Sequence, residues 1–507
     1  MATLRYSSTM IFLAAVLSVP SSVCLSGCGS SSYLSTAATG GSNSAPSTSS
    51  ISLVLNPATA VSTINGSLSF TPVEVNSGSG STTTLNPSSC DWTSNDDTVL
   101  SGGNTGTFVG AAEGSATVTA VCSKMEAEAT AAVSAPQNPT AIKITHGGVY
   151  TGTWSSNDPN TPAVVIQTDD PVTIKNSTIT GRGTLIMVYG NKGANVTVTN
   201  TTGTALDPGV SGDAKGKFID AQVMNSLTVQ NCTMQSTSFG VYIVSSSLTS
   251  LNIANNVGIN LDDRVSDGKG GYLLNQRVLG HFIMLNGDTL PNGGVIAWNQ
   301  IINATGLSSI EDVISLYQSR GGDATHLISL HDNYIQGAFA TGLTTSYTGG
   351  GIQFDGSSNS PATANGFVDV ANNIIVKTAN FGISIGAGHD INVHGNRVVS
   401  CGQDGQGNWI NFTGYAYGMW NFYNTQQYYN NQITGNTGGA VTVQNGKPVE
   451  ADFDIPSISQ TLNDTVSGNQ LDQPCWVNGV LSQAAEATAL SAWQAKVASA
   501  GMVLGAQ

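Results

Sequence analysis

Acidic side chains that could exchange protons lie at two places between residues 311 and 355. Glu311 and Asp312 are adjacent, and Asp355 ends a short stretch of alternating apolar residues. A carboxyl group can donate or accept a proton, and two carboxyl groups held close together can divide these roles. We therefore predict that Asp355 is the main acid–base group, with Asp312 or Glu311 as the second carboxyl group.

Four short stretches with the same apolar alternation would position these groups if they lie side by side as strands. If one apolar side chain of each stretch points inwards, two rows of side chains point outwards, with about 5 Å between neighbours in a row. The inward residues are Ile314, Ile352, Ile383 and Met419. The rows are Ser315–Gln353–Ser384–Trp420 and Tyr317–Asp355–Gly386–Phe422. This register predicts a solvent-facing groove that combines a carboxylate, a bare glycine and an aromatic ring.

Side chains around this predicted groove could recognise a sugar chain. Trp420 and Tyr317 could stack on sugar rings, and Gln353 and Asp390 could bind hydroxyl groups. Two catalytic chemistries stay open. A lyase needs a cation near the uronate carboxylate, for which Arg320 is the candidate. A hydrolase needs two carboxyl groups, about 5.5 Å apart for retention or about 6.5–9.5 Å for inversion.

His389 could assist either chemistry. The alternative is a solvated face without catalysis, as in an adhesin or a glycan-binding surface protein. Convergence of the carboxyl groups beside Arg320 would favour an enzyme, whereas scattered acids would favour the adhesin.

Other polar motifs predict structural roles. Asp262-Asp263-Arg264 is interpreted as a turn or an ion pair, and His331 and His394 as corner residues. The chain contains no Cys-x-x-Cys pair, Cys/His cluster or Asp-x-Asp-x-Asp-Gly loop, so we predict no metal site. Acidic loops could still hold Ca²⁺, which would be needed to bridge a chain of net charge −15 to a polyuronate. A neutral or acetylated polysaccharide is therefore favoured.

Residues 140–478 carry a repeat that must position these groups. Short alternating stretches end in Asn, and the intervals 176 to 200 and 231 to 255 are both 24 residues. The recurring asparagines are Asn176, Asn200, Asn231, Asn255, Asn299, Asn333, Asn373, Asn396, Asn431 and Asn469. A period near 23 with period-2 alternation predicts a parallel β-solenoid with an asparagine ladder at one corner.

This repeat resembles the right-handed parallel β-helix superfamily that contains pectin lyases, pectate lyases and polygalacturonases. The resemblance covers about two thirds of the chain and implies the fold, but the pectate lyase signature stretches are absent. Residues 479–507 follow it, with Leu490, Trp493 and Val497 spaced as on one helix face. We expect this C-terminal helix to cap the open end of the solenoid.

Residues 51–135 form a separate region of short alternating stretches and turn residues, which predicts a small all-β sandwich. The segments Leu55-Asn56-Pro57-Ala58, Trp92-Thr93-Ser94, Gly106-Thr107-Phe108-Val109-Gly110 and Gly114-Ser115-Ala116-Thr117-Val118 resemble the group 2 bacterial Ig-like domain. Such domains act as spacers or adhesion modules on bacterial surfaces. Cys90 and Cys122 would lie on its strands, either bridged or as two buried thiols.

The N-terminus predicts export. Residues 1–27 combine Arg5 with an apolar stretch too short to span a bilayer, as in a signal peptide. Leu25-Ser26-Gly27-Cys28 resembles the bacterial lipobox, which implies lipidation of Cys28, although ordinary cleavage near Val23 is the alternative. Residues 28–50 then form a Ser/Gly-rich tether.

Composition sets limits on the partners. Only 9% of the residues are charged, and 31 acidic residues against 16 basic ones argue against nucleic acid or an anionic membrane surface. We expect a protein anchored to the cell envelope through its lipid, with a polysaccharide as its partner.

Overall fold

The computed structural model describes residues 50–507 except for 64–66, 113, 135–140, 245, 247, 340–347, 405, 411–413 and 456–462. The predicted signal peptide, Cys28 and nearly all of the tether lie outside the described residues. The chain divides into two compact units, Met1–Ser134 and Ala135–Gln507. Nearly all regular structure in both units is β-strand.

Short strands with alternating burial build the first unit around one apolar core. Its three sheets have the orders β1-β4-β5, β2-β10-β9-β6 and β3-β8-β7, with strands β1 (Ile51–Asn56), β2 (Thr59–Thr63), β3 (Ser67–Ser69), β4 (Thr71–Asn76), β5 (Thr82–Thr84), β6 (Asp91–Ser94), β7 (Leu100–Gly102), β8 (Thr107–Gly110), β9 (Gly114–Cys122) and β10 (Met125–Ser134). A 3-10 helix spans Pro87–Ser89. Phe70 and Trp92 both pack edge-on against Phe108. A disulfide joins Cys90 to Cys122.

The second unit is dominated by one large, mostly parallel sheet, in which the described residues form 31 strands. Its earlier strands, with the small sheet β17-β23-β24, are β11 (Ile142–Ile144), β12 (Gly148–Tyr150), β13 (Thr153–Ser156), β14 (Val164–Ile166), β15 (Val172–Gly181), β16 (Ile186–Ala205), β17 (Ser211–Ala214), β18 (Ile219–Gln230), β19 (Thr233–Gln235), β20 (Val241–Val244), β21 (Ser250–Ala254), β22 (Val257–Ile259), β23 (Arg264–Asp267), β24 (Tyr272–Arg277), β25 (Ile283–Asn286), β26 (Thr289–Leu290), β27 (Gly294–Ala297) and β28 (Gln300–Ile302).

The later strands continue the same sheet and end in the hairpin β45-β46. They are β29 (Asp312–Tyr317), β30 (Arg320–Gly321), β31 (Ile328–His331), β32 (Tyr334–Ala338), β33 (Gly350–Asp355), β34 (Gly366–Ala371), β35 (Ile374–Thr378), β36 (Phe381–Ile385), β37 (His389–His394), β38 (Arg397–Ser400), β39 (Tyr415–Met419), β40 (Gln432–Thr434), β41 (Thr437–Gln444), β42 (Lys447–Glu450), β43 (Phe453–Asp454), β44 (Thr465–Ser467), β45 (Trp476–Val477) and β46 (Val480–Leu481).

The parallel pairings arrange these strands in recurring stacks. Stack A contains β20, β25, β29, β33, β36 and β39, each paired with the next. Stack B contains β27, β31, β34, β37 and β40, and stack C contains β28, β32, β35, β38 and β41. Alternate Val, Ile and Leu side chains of all three stacks are buried in one core. Period-2 alternation produces this core because successive side chains of a strand point to opposite faces.

Between stacks B and C, one asparagine per turn of the chain forms an asparagine ladder, whose members are buried except for the half-buried Asn469. Each side-chain oxygen accepts from the backbone N–H of the previous member, which lies 23 to 43 residues earlier. Its members are Asn256, Asn299, Asn333, Asn373, Asn396, Asn436 and Asn469.

The asparagines that were predicted to form one series occupy more than one corner position in the structure. Asn176, Asn200, Asn231 and Asn255 occupy a left-handed corner conformation with φ between 46° and 59°. Asn255 directly precedes the ladder member Asn256. Asn431 lies at a different corner, where its side-chain oxygen accepts from Ile391 N. Asn suits both positions, since it tolerates positive φ and its amide both donates and accepts.

The C-terminal helix α1 (Ala484–Ser499) packs on the flank of stack C and not over the end of the sheet as predicted. Trp493 is fully buried against Tyr334, and its indole N–H donates to Asp332 O. The disulfide Cys401–Cys475 lies in the same apolar cluster. Outward apolar residues of stack C explain this position, because the helix buries its own apolar face against them.

Candidate functional site

A groove follows the outer face of stack A. Two adjoining cavities of about 380 and 350 Å³ form it, and Glu311, Asp312 and Asp355 line both. The first is also lined by Gln353, Asn380, Phe381, Ser384, Gly386, Tyr415, Trp420, Phe422 and Tyr423. The second is also lined by Phe239, Tyr242, Val278, Leu279, His281, Met284, Ser315 and Tyr317. The three predicted carboxyl groups therefore stand together at the centre of this stack A groove.

The strand register produces this convergence and agrees with the predicted one over three of the four strands. Ser315, Gln353 and Ser384 are successive partners, and Tyr317 pairs with Asp355. On the fourth strand, Ser384 pairs with Gly418 and not with Trp420. The predicted alignment is displaced by two residues there, because a two-residue shift preserves the alternation between faces.

Asp355 is half-buried at the end of β33 and is held by two donors. The Tyr423 hydroxyl donates to its Oδ1 at 2.6 Å, and the Gly356 N–H donates to the same oxygen at 2.7 Å. Burial, followed by the hydrogen bond to Asp355, raises the pKa of the Tyr423 hydroxyl. Burial and the Asp355 charge also raise the pKa of Tyr317. Both tyrosines therefore keep their hydroxyl protons at neutral pH, and Tyr423 donates its proton to Asp355.

Glu311 and Asp312 form a more enclosed acidic pair with His281. Asp312 is only 4% exposed, and its Oδ1 has no hydrogen-bond partner among the described residues. Burial, and then the charges of Glu311 and Asp355, raise the pKa of Asp312 well above its usual value, while the backbone N–H of Gly350, and then Arg277, oppose the rise. His281 Nε2 lies 3.3 Å from Glu311 Oε2. Ligand-type atoms of His281, Glu311 and Asp312 all lie within 4.8 Å of one another, although no metal site was predicted.

Exposed aromatic rings form one end of the groove. Trp420, Phe422 and Tyr423 are 40%, 58% and 36% exposed and pack edge-to-face in sequence. Phe381 and Tyr415 stack behind them at 5.8 Å between centroids. Large exposed rings cost free energy in water, so a cluster of them beside polar groups is typical of a ligand surface.

Arg320, His389 and Asp390 do not lie in this groove, which differs from their predicted place beside Asp355. The Arg320 guanidinium donates to the carbonyl oxygens of Gly321, Gly322 and Pro361 and lies over the Phe367 ring.

His389 is buried, stacks on Tyr429 at 4.8 Å and contacts the Asp390 carboxylate through Nδ1 at 2.6 Å. His389 and Asp390 belong to stack B, and Arg320 belongs to β30, which pairs with the first residue of the stack B strand β34. Closeness in sequence to the stack A strands therefore did not bring these three residues to the same face.

The weaker candidates each contact a neighbouring charged or polar side chain. Asp262 accepts from Arg264 Nε at 2.6 Å and Lys215 Nζ at 2.8 Å, in agreement with the ion-pair interpretation. His331 contacts Asp332 at 2.7 Å, and His394 contacts Asp369 at 3.1 Å. These groups satisfy one another and leave little capacity for a ligand.

Sequence reasoning missed His281 and Tyr423. His281 shortly precedes β25, whose Ile283 pairs with Ile314, so aligning this strand with β29 would have set His281 opposite Asp312. Tyr423 comes from the loop after β39, and no periodic signal marks it. The sequence therefore contained a usable signal for the histidine but none for the tyrosine.

The described part of the chain has no helix both long and apolar enough to cross a membrane. Comparison with known protein families finds no matching family model, and comparison with curated proteins finds no significant match.

Proposed function

We propose that the stack A groove binds a polysaccharide chain and cleaves it. The observation that carries this proposal is the convergence of Glu311, Asp312 and Asp355 in the middle of a groove with exposed rings at one end. Carboxyl groups supply acid–base chemistry at a glycosidic bond, and aromatic faces stack on the apolar faces of sugar rings.

The dimensions of the groove favour a chain over a single sugar. Six strands of stack A, from β20 to β39, contribute lining residues, and neighbouring strands lie about 4.8 Å apart. The lined face therefore extends about 24 Å along the stack. Both cavities open to this face, so a polymer could pass the three carboxyl groups without being threaded.

Hydrolase chemistry has more support than lyase chemistry. Arg320, the predicted neutralising cation, donates to carbonyl oxygens outside the groove. Asp355 is half-buried and lines both cavities, so it is the proposed proton-transferring group. Glu311 or Asp312 would supply the second carboxyl group.

Binding without cleavage is the second candidate. It is favoured by the burial of Asp312 at 4% exposure and by the engagement of Asp355 with Tyr423. Both features reduce access to a scissile bond, whereas the exposed aromatic end would serve an adhesin equally well.

We also propose that the second unit is a right-handed parallel β-helix and the first an Ig-like spacer on an exported lipoprotein. The repeated parallel pairing and the asparagine ladder support the first part. Antiparallel pairing in the small first unit supports the second part. Two disulfides among the described residues support an oxidising compartment outside the cytoplasm.

The test is to incubate purified protein with plant, algal and bacterial polysaccharides and measure new reducing ends and unsaturated uronates. We expect reducing ends without unsaturated uronates. Asp355→Asn should lower the rate at least about 100-fold, as expected for loss of acid–base assistance. The matched control is Asp323→Asn, since Asp323 is an exposed residue paired with His326. Retention of a polysaccharide without any cleavage would favour the adhesin, and no retention would contradict both candidates.

A further inference from the structure

His281 places a buried ring nitrogen beside a carboxyl group. Its Nδ1 lies 2.8 Å from the carbonyl oxygen of Asp312, which can only accept, so Nδ1 carries the proton. In the neutral imidazole, Nε2 is then a bare acceptor. This atom is buried and lies 3.3 Å from Glu311 Oε2 without forming a hydrogen bond. A ring nitrogen and a carboxyl oxygen at this distance repel unless a proton or a metal ion lies between them.

Asp312 adds a second buried atom without a partner to the same place. Its Oδ1 is buried without a hydrogen-bond partner among the described residues, and its side chain is more than nine-tenths buried. Leaving such an oxygen buried and unpaired costs free energy.

The local charge is also incompletely balanced. Glu311, Asp312 and Asp355 line the same cavity, and no lysine or arginine of the described residues lines it. The buried side chain of Arg277 lies 3.9 Å from Asp263, so Asp263 takes up part of its charge. A divalent cation would offset the remaining negative charge.

We propose that His281, Glu311 and Asp312 bind a divalent transition-metal ion of the zinc or manganese class, with one coordination position open to the stack A groove. Ligand atoms about 2.0–2.1 Å from a tetrahedral ion lie about 3.3–3.4 Å apart, close to the 3.3 Å between His281 Nε2 and Glu311 Oε2. The Nδ1 contact to a backbone carbonyl is the arrangement that orients a metal-binding histidine.

The donor set distinguishes between ions. One imidazole nitrogen and two carboxylates suit Zn²⁺ or Mn²⁺, whereas Ca²⁺ takes six to eight oxygen ligands. Three protein ligands leave an open position, as in catalytic metal sites. Glu311 and Asp312 line both cavities, so this position faces the groove.

A consequence for cleavage follows, and it rests on the proposed function. A metal-bound water at this position would ionise more readily than free water and could attack a glycosidic carbon. As the bond from that carbon to the leaving sugar oxygen breaks, Asp355 on the neighbouring strand could pass the proton lost by the water to that oxygen. The metal site itself does not depend on the ligand being a polysaccharide.

The test is to strip the purified full-length protein with a chelator and titrate it calorimetrically with ZnCl₂, MnCl₂ and CaCl₂ separately. We expect one equivalent of Zn²⁺ or Mn²⁺ to bind. His281→Ala and the nearly isosteric Glu311→Gln should each weaken this binding at least about 10-fold, because even outer-shell substitutions cost about 10–100-fold. His326→Ala is the matched control, since His326 is exposed and also paired with an acid.

Absence of stoichiometric Zn²⁺ or Mn²⁺ binding by the wild-type protein would overturn the proposal, as would unchanged binding by Glu311→Gln. Binding of Ca²⁺ that survives His281→Ala would also overturn the assignment. If His281→Ala does not fold, Co²⁺ absorption of the wild-type protein provides the second measurement, and bands lacking nitrogen ligation contradict the proposal. Metal binding without cleavage would refute the proposed function alone, and cleavage by stripped protein would refute the proposed metal role in cleavage.

Discussion

The asparagine ladder and the stack A groove both bury polar side chains between stacked strands, but only the ladder satisfies them internally. Asn333 donates to Ile296 O and Asn373 Oδ1 and accepts from the Asn299 N–H. In the groove, Asp312 Oδ1, Gln353 Oε1 and His281 Nε2 are buried without hydrogen-bond partners among the described residues. Because burying an unpaired polar group is costly, this contrast separates a structural corner from a surface built for a ligand.

Breaking the ladder should have the largest effect on stability. Asn333→Ala leaves the buried Ile296 O and Asn299 N–H without their partners. We expect the free energy of unfolding of the second unit to fall by about 3 kcal/mol, measured by urea titration. The control is Asn445→Ala, at an exposed turn with positive φ. A loss below about 0.5 kcal/mol for Asn333→Ala would contradict a stabilising role of the ladder.

A carboxylate at another corner should make stability depend on pH. Asp288 accepts from Ser246 N and Asn286 N, and burial raises its pKa to about 7 from 3.8. The folded state thus binds a proton that the unfolded chain releases above pH 4. Stability should fall between about pH 4 and 7, by about 4 kcal/mol, and Asp288→Asn should remove this slope. Thermal unfolding across this range is the measurement, and equal slopes in both proteins would contradict the assignment.

The aromatic end of the groove should contribute to affinity and not to folding. Trp420→Ala removes an exposed ring and should weaken binding of a retained polysaccharide about 10-fold, or about 1.4 kcal/mol. Trp409→Ala is a matched control, since Trp409 is 39% exposed and does not line the groove. Affinity electrophoresis can compare the two, and equal losses would argue against a sugar platform at Trp420.

The smallest effect on stability is expected for a polar residue of the groove. Gln353→Met removes the buried, unpartnered Gln353 Oε1 while largely preserving side-chain volume. We expect the free energy of unfolding to change by less than about 0.5 kcal/mol or to increase, because no hydrogen bond is lost. The same urea titration measures it, and a loss comparable to that of Asn333→Ala would mean that the groove is structural too.

More of the strand stacks than of the groove could be predicted from the sequence. Alternation predicted the pairings of Ile314, Ile352 and Ile383, and spacing predicted the corner asparagines. Alternation did not predict the pairing of Tyr417 with Ile383, because a displacement by two residues buries an equally apolar set. It also did not predict that the C-terminal helix would lie on the flank of stack C, since an amphipathic face does not specify which apolar surface it meets.

The amino-acid sequence by itself determined the repeating architecture, because period-2 alternation and corner asparagines act over neighbouring residues. Only the tertiary structure decided which polar groups meet. His281, Glu311 and Asp355 come from three separate strands or their approaches, and the lengths of the intervening loops control their alignment. Arg320 and His389 are also near the stack A strands in sequence, but they lie outside the groove. Each turn of the chain presents several faces, so sequence distance does not specify which face a side chain shares.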